Sequence, residues 1–359
     1  MTAATALITG NEPLPALAEQ AVREALRRSQ SPHANSVLLF LSGEFTRHAQ
    51  SAVMAAARAA SCTQVFGGIA AGVCTEDGWA LDRPAVAAMV LCDGLSLAAT
   101  QAPADAATPL LCMTRSPFPS AWENSRRYGS HFHGNAGESA VWQMGRTLDE
   151  GCAEARMLGA ELDIAVSTGL RDIGSAQAVD AVRGYDLCTL GGRPALAALL
   201  AQLPADWRER EPLPLHLINA CITEVDGTAP ARIASLISAN PDRSLTLTLP
   251  LQPGQRLCWA IREPHATEAD MRAVLDRSDA GQSRPPDFAL LFSCIGRGPY
   301  FYGGEDRDLA ALVARFPGMP LAGTYGTGQI AFQGNHSHPM QNAAVTALFR
   351  ETRHVQPQS

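Results

Sequence analysis

Apolar residues in this chain come in short runs of strand length, separated by segments of helical period and by glycine and proline breaks. The clearest stretch is Asp287 to Gly334. Phe288 to Cys294 is a continuous apolar run that predicts a strand. Gly296-Arg297-Gly298-Pro299 ends it, because Gly and Pro adopt the backbone angles of turns. Glu305 and Asp306 then place negative charge where a helix N-terminus is partly positive. Leu309, Leu312, Val313 and Phe316 recur at helical spacing, which predicts one apolar helical face closed by Pro317, Gly318 and Pro320. Leu321 to Ala331 is apolar again and carries Gly323, Gly326 and Gly328. Glycines at that density weaken a strand and suggest close approach of another backbone or of a ligand.

The same plan occurs near the N-terminus. Ser36 to Ser42 is an apolar strand, Val53, Ala56, Ala57 and Ala60 make a helical face, and Thr63 to Cys74 is a second glycine-bearing strand. A further apolar run follows in each half, Ala85 to Leu91 and Ala343 to Phe349. Leu38-Leu39-Phe40 thus corresponds to Leu290-Leu291-Phe292, and Gly67-Gly68 to Ala322-Gly323, a duplication with a half-chain period. The expected fold is α/β: two related modules with duplicated strand–helix–strand cores forming stacked α and β layers. The boundary is expected near Gly192, giving modules 1–192 and 193–359. A strand at Tyr185 to Leu190 and a helix carrying Leu196, Leu199, Leu200 and Leu203 flank it. Thr267-Glu268-Ala269-Asp270 predicts a later helix start.

Composition narrows the function. The chain has 359 residues, 46% hydrophobic and 18% charged, with net charge −7, which is globular and offers no basic surface for nucleic acid. All 28 basic residues are Arg. The absence of Lys excludes a Schiff-base lysine and a Walker-type phosphate loop. Nine cysteines are scattered singly with no C-x-x-C pair, which predicts free, mostly buried thiols in a reducing cytosol. Neither a secretory leader nor a membrane-spanning apolar run is evident, so a cytoplasmic location is expected.

Several residues could carry chemistry. Cys294 sits at a strand end before a glycine turn and beside Arg297, where a thiol can become a nucleophile or redox sensor, or simply pack under the turn. Arg297, between two glycines, can present its fork to a ligand carboxylate or phosphate, or pair with Glu305, Asp306 or Asp308. Tyr300, Tyr302 and Tyr325 cluster around the same glycines. The irregular stretch Cys112 to Arg146 suggests a binding loop or lid. It contains His131 and His133 in H-x-H spacing, repeated at His336 and His338. Such pairs suit a metal only if further ligands converge; otherwise they are polar loop residues. The expected ligand site lies beside the C-terminal glycine-rich strand: Arg297, Tyr325, Gln329, Gly323, Gly326 and Cys294. A carboxylate-bearing small molecule fits this set.

Four segments in order, VFGGIAAGVCTEDGW, LCWAIREPHATEADM, FSCIGRG and PLAGTYGTGQIA, resemble the FIST sensory proteins. That family's FIST-N and FIST-C modules occur in bacterial signal transduction and in eukaryotic F-box proteins. The resemblance covers nearly the whole chain and implies a FIST-N-like module at 1–192 and a FIST-C-like module at 193–359. It implies a sensory, non-enzymatic protein that binds a small ligand such as an amino acid. The two modules consume nearly the whole chain, so output is expected in trans, through a histidine kinase or a cyclic-di-nucleotide enzyme. Some members bind haem and sense nitric oxide, which makes a haem sensor with a histidine proximal ligand one alternative. An enzyme using Cys294 or a histidine-bound metal is the other. Gln329 stands where many members carry Glu, which removes a charge from the implied site.

Overall fold

The computed structural model describes residues 2–99, 106–132, 139–148, 151–223 and 232–352. The chain forms two compact units: Met1–Thr168 with Met271–Ser359, and the inserted Gly169–Asp270. The boundary expected near Gly192 therefore falls inside the inserted unit, in a turn where Gly191 and Gly192 take φ of 56° and 75°.

In the first unit a four-strand pattern occurs three times, with a helical crossover of the kind the sequence suggests only in the first and third, rather than as two duplicated strand–helix–strand modules. Each copy has four strands in chain order. The first copy comprises Ala3–Thr9, Ser36–Ser42, Val65–Ala70 and Ala85–Leu91. The second is Ser96–Ala99, Leu110–Thr114, Arg127–His131 and Cys152–Leu158, and the third is Ala160–Ser167, Phe288–Cys294, Leu321–Gly326 and Ala344–Glu351. In every copy the spatial order is first, fourth, second, third, with the second and third strands parallel and the others antiparallel. The registers agree as well: Leu39 lies opposite Gly67, Cys112 opposite Gly129, and Leu291 opposite Gly323. The inserted unit sits between the first and second strands of the third copy.

Each copy then exports a hairpin to a neighbour. Gly72–Thr75 pairs with Leu321–Gly326 of the third copy, Gly328–Gln333 with Arg127–His131 of the second, and Val141–Gln143 with Val65–Ala70 of the first. The exchange closes into a ring and gives three six-stranded sheets of matching order. Glu76, at the tip of the first hairpin, fastens it by accepting from Leu321 N at 2.9 Å and from the Thr5 hydroxyl.

Strand alternation sends one face of each sheet to a common core. Leu38, Phe40 and Phe66 meet Leu111, Met113 and Tyr128 and Leu290, Phe292 and Phe349 there. The opposite faces are covered separately. Helices Pro15–Ser29 and Ala49–Ala60 cover the first sheet, where alanines 52, 56 and 60 let the backbone come close. Helix Arg307–Arg315 and the residues Met271, Val274 and Leu275 cover the third. On the second sheet the crossover is a single 3-10 turn, Ser120–Trp122, whose Trp122 packs on Cys112 and Ile330. That crossover has no helical period and carries Pro117 and Pro119, so the sequence conceals the second copy and reads as a loop.

Among its described residues the inserted unit is built of β-strands, with two short helices, a 3-10 turn and the start of helix Pro264–Asp279. Leu170–Arg183, Arg256–Arg262, Ile218–Thr223, Arg232–Ala239, Leu245–Leu247 and Asp186–Leu190 follow one another side by side. Asp186–Leu190 pairs back onto Leu170–Arg183, which closes a six-stranded antiparallel barrel. Its interior holds Ile173, Leu187, Ile222, Leu236, Leu257 and Trp259, and helix Ala195–Gln202 packs against it. The helix expected to start at Thr267 begins at Pro264 instead, and the Thr267 hydroxyl donates to Gly169 O at 2.8 Å.

The three matched glycines are required by packing. A Cβ at Gly67 would lie 1.8 Å from Leu39 O, at Gly129 1.9 Å from Cys112 O, and at Gly323 2.4 Å from Leu291 O. Replacing Gly67 or Gly129 by Ala is expected to cost about 3 kcal/mol or more in urea unfolding. Gly94→Ala, where a Cβ meets nothing within 4 Å, should change stability by no more than about 0.5 kcal/mol.

Candidate functional site

The third copy holds every site residue expected from the sequence, but it does not gather them in one place. Tyr325 and Arg297 lie on the helix-covered side of the third sheet. Gln329 and Cys294 point, by strand alternation, toward the shared core, together with Ala331 and Phe292 respectively.

Arg297 is fully buried, and its fork is engaged inside the protein. Nε and Nη2 reach the Asp308 carboxylate at 2.7 and 3.0 Å, while Nη1 and Nη2 reach Ser167 O and Oγ at 2.6 Å. Tyr302 donates to the same carboxylate at 2.9 Å. Of the two roles open to Arg297, the structure selects the internal ion pair. The expectation that it greets a ligand is corrected by this geometry: a bidentate pair with every nearby donor satisfied leaves no vacant fork. Tyr300, by contrast, is exposed and donates to Asp82.

Tyr325 is also fully buried and donates to Asp306, whose other oxygen accepts Leu309 N at 2.9 Å and so caps helix Arg307–Arg315. Burial first, and then the neighbouring Asp308 charge, raises the Asp306 carboxyl from 3.8 to about 6. Burial likewise keeps Tyr325 and the adjacent Cys74 thiol protonated.

The glycine argument for a ligand also gives way to packing. At Gly323 a Cβ would meet Leu291 O and, at 2.7 Å, Cys74 Sγ of the imported hairpin. At Gly326 it would meet Ser130 Oγ at 2.4 Å and His131 O at 3.0 Å, where the third and second copies cross.

The core-facing end is different. Cys294 is 5% exposed, and its Sγ lies 3.7 Å from Asn342 Oδ1 and 4.0 Å from Thr327 O. Asn342 holds φ of 55°, a left-handed conformation that Asn tolerates better than most residues. Gln329 is fully buried opposite Ser130 and Met340. Its Oε1 accepts Ala343 N at 3.4 Å, but its Nε2 has no partner among the described residues, and neither has the buried Thr324 hydroxyl. These are two of several buried polar atoms without a partner among the described residues, Asn219 Nδ2, Trp142 Nε1 and the Ser293 and Thr346 hydroxyls being others, and they are the ones that lie beside the expected site residues. Asn342, Thr324 and Ser130 are residues that sequence reasoning missed; their only signal is register, which requires the strand pairings.

Among the described residues the histidines do not assemble a metal centre. His133 lies outside the described residues. His131 packs its ring against Gly328, and His336 and His338 share one face of the edge strand His336–Met340. Burial and then His336 lower the His338 pKa. Among the described residues no group of three His, Cys, Asp or Glu is placed to hold a metal, and no helix is long and apolar enough to cross a membrane.

Residues 195–332 match the FIST C domain. The matched segment contains all six site residues expected from the sequence; residues 1–194 lie outside it. The chain is also similar to an uncharacterized protein of Mycobacterium tuberculosis strain H37Rv, 29% identical over 220 residues, or 59% of this chain and 57% of the relative. An uncharacterized protein of Mycobacterium bovis is 27% identical over 200 residues, 54% of this chain and 52% of the relative. The chain spans a little over half the length of these curated relatives.

Two measurements check the electrostatic reading. Arg297→Met should destabilise by about 3–5 kcal/mol, because it strands the Asp308 charge in the core, while adding Asp308→Leu should recover most of that loss. The folded protein holds the Asp306 proton more tightly than the unfolded chain does. Stability from this group is therefore fully present below about pH 4 and is lost as pH rises through about 6, a change of ~3 kcal/mol. Asp306→Asn, which keeps the cap, should flatten that part of the stability–pH curve.

Proposed function

We propose that this protein is a sensory, small-ligand-binding protein of signal transduction whose ligand docks at the core-facing end of the third copy, beside Cys294, Gln329 and Thr324. The observation that carries the reading is the unpartnered Gln329 Nε2, held fully buried within the segment that matches the FIST C domain. A ligand carboxylate or carbonyl supplies the acceptor this amide lacks, and a neutral Gln suits a small anion better than Glu would. The ligand class is a carboxylate-bearing small molecule such as an amino acid. Output passes in trans to a histidine kinase or a cyclic-di-nucleotide enzyme, through ligand affinity that differs between two states of the partner complex.

The described histidines do not fit the haem alternative. An axial histidine must face an apolar slot. His131 is packed on Gly328, His336 and His338 stand side by side on an edge strand, and the remaining described histidines are exposed. The Cys-dependent alternative lacks support for a similar reason: the fork of Arg297, the cation nearest in sequence, is spent on Asp308.

A thermal-shift screen of small carboxylates tests the proposal, since a ligand of the native state raises Tm. For the best hit, Gln329→Leu should weaken binding by about 1.5–3 kcal/mol, whereas Arg297→Met should leave the affinity of its folded fraction unchanged. Equal affinity in Gln329→Leu and the parent would place the site elsewhere.

A further inference from the structure

The barrel unit carries a pair of thiols that no spacing rule reveals. Cys221 and Cys258 lie 37 positions apart in the chain, yet they are directly opposite each other in the antiparallel pairing of Ile218–Thr223 with Arg256–Arg262. Their neighbours Ala220, Ile222, Leu257 and Trp259 point into the barrel, so both sulfurs face outward on the same side. Opposed residues of an antiparallel pair have Cα atoms about 4.5–5.5 Å apart, inside the range of about 4.4–6.8 Å that a disulfide spans. Both thiols are partly exposed, whereas Cys74, Cys92, Cys112 and Cys294 are buried. Cys152 lies near Cys112, but the two occupy offset register positions, Cys152 facing Thr114 and Cys112 facing Glu154. The prediction of mostly buried thiols therefore fails for five of the nine cysteines.

We propose that Cys221 and Cys258 are a reversible oxidation site, closing to an intramolecular disulfide by exchange with a small-molecule disulfide of the oxidised-glutathione class. The Cys258 thiolate attacks one sulfur of the oxidised glutathione, breaks its S–S bond and releases one glutathione thiolate, leaving a mixed disulfide. The Cys221 thiolate then attacks Cys258 Sγ, forms the protein S–S bond and releases the second glutathione. The protein loses two protons and two electrons, and one glutathione disulfide becomes two glutathione thiols. The order follows the surroundings. Cys221 is the more buried and donates to Asp172 Oδ1 at 3.9 Å, and burial and then that carboxylate push its pKa up to about 12. Burial and Asp172 also raise the Cys258 thiol. Both cysteines are free thiols in this structure, and closing the bond requires an excess of disulfide.

The test treats the full chain with oxidised glutathione, alkylates it under denaturing conditions and maps the peptides by mass. The expected result is a loss of two alkylatable thiols, a linked peptide pair containing Cys221 and Cys258, and full reversal by dithiothreitol. In Cys221→Ser the exchange should stop at a stable glutathione adduct on Cys258. An unchanged thiol count, a Cys112–Cys152 link with Cys221 and Cys258 still alkylated, or a glutathione adduct on Cys258 that persists in the parent protein would each overturn the proposal.

Discussion

The close approach of a carbonyl to a glycine, repeated once in each copy, is the contact on which the first unit depends. Leu39 O, Cys112 O and Leu291 O each press against a position where only hydrogen fits. The same glycines lie opposite the imported hairpins, through Trp142, Ile330 and Cys74. A side chain there would push apart both the parallel pair and the exchanged strand. Because every hairpin is held by another copy, no copy completes its sheet alone, and the three sheets share one core. This arrangement joins residues far apart in the chain, such as Gly72 and Tyr325, by ordinary ladder pairing.

Around that frame the buried polar groups divide into two kinds. The Arg297–Asp308–Tyr302–Ser167 network is complete, with every charge answered by its opposite or by a hydrogen bond. Such a network is costly to break and poorly suited to receive a ligand, because binding would have to displace a partner already in place. The Gln329 and Thr324 donors are incomplete. The distinction rests on satisfaction rather than residue type: an Arg in a glycine turn is the more conspicuous signal in sequence, and a Gln at a buried strand position is the more open one in space.

Much of the fold was legible. The apolar runs at Ser36 to Ser42 and Phe288 to Cys294, the helical face from Leu309 to Phe316, and the alignment of Leu39 with Leu291 all follow from local periodicity, and the registers place them where that periodicity implies. The second copy was not legible. Between Thr114 and Arg127 the chain crosses over with a single 3-10 turn, and periodicity cannot report a crossover that has no helix. The long strand Leu170–Arg183 was hidden for a related reason: its outer residues are polar, and a register shift between Ile173 and Gln177 breaks the alternation.

The sequence by itself determined the strands Ser36–Ser42 and Phe288–Cys294 and the helix Arg307–Arg315, because side-chain period and turn residues act locally. It also determined that lysine chemistry is absent and that Arg297 must find an anion. Tertiary structure decided which anion, since Asp308, Asp306 and Glu305 are nearly equivalent along the chain and only the start of helix Arg307–Arg315 brings Asp308 under the guanidinium. It decided that Gly323 and Gly326 serve packing, because the atoms that crowd them, Cys74 Sγ and Ser130 Oγ, come from other copies. And it decided that Cys221 faces Cys258, because pairing between strands depends on register, which a linear sequence does not encode one residue at a time.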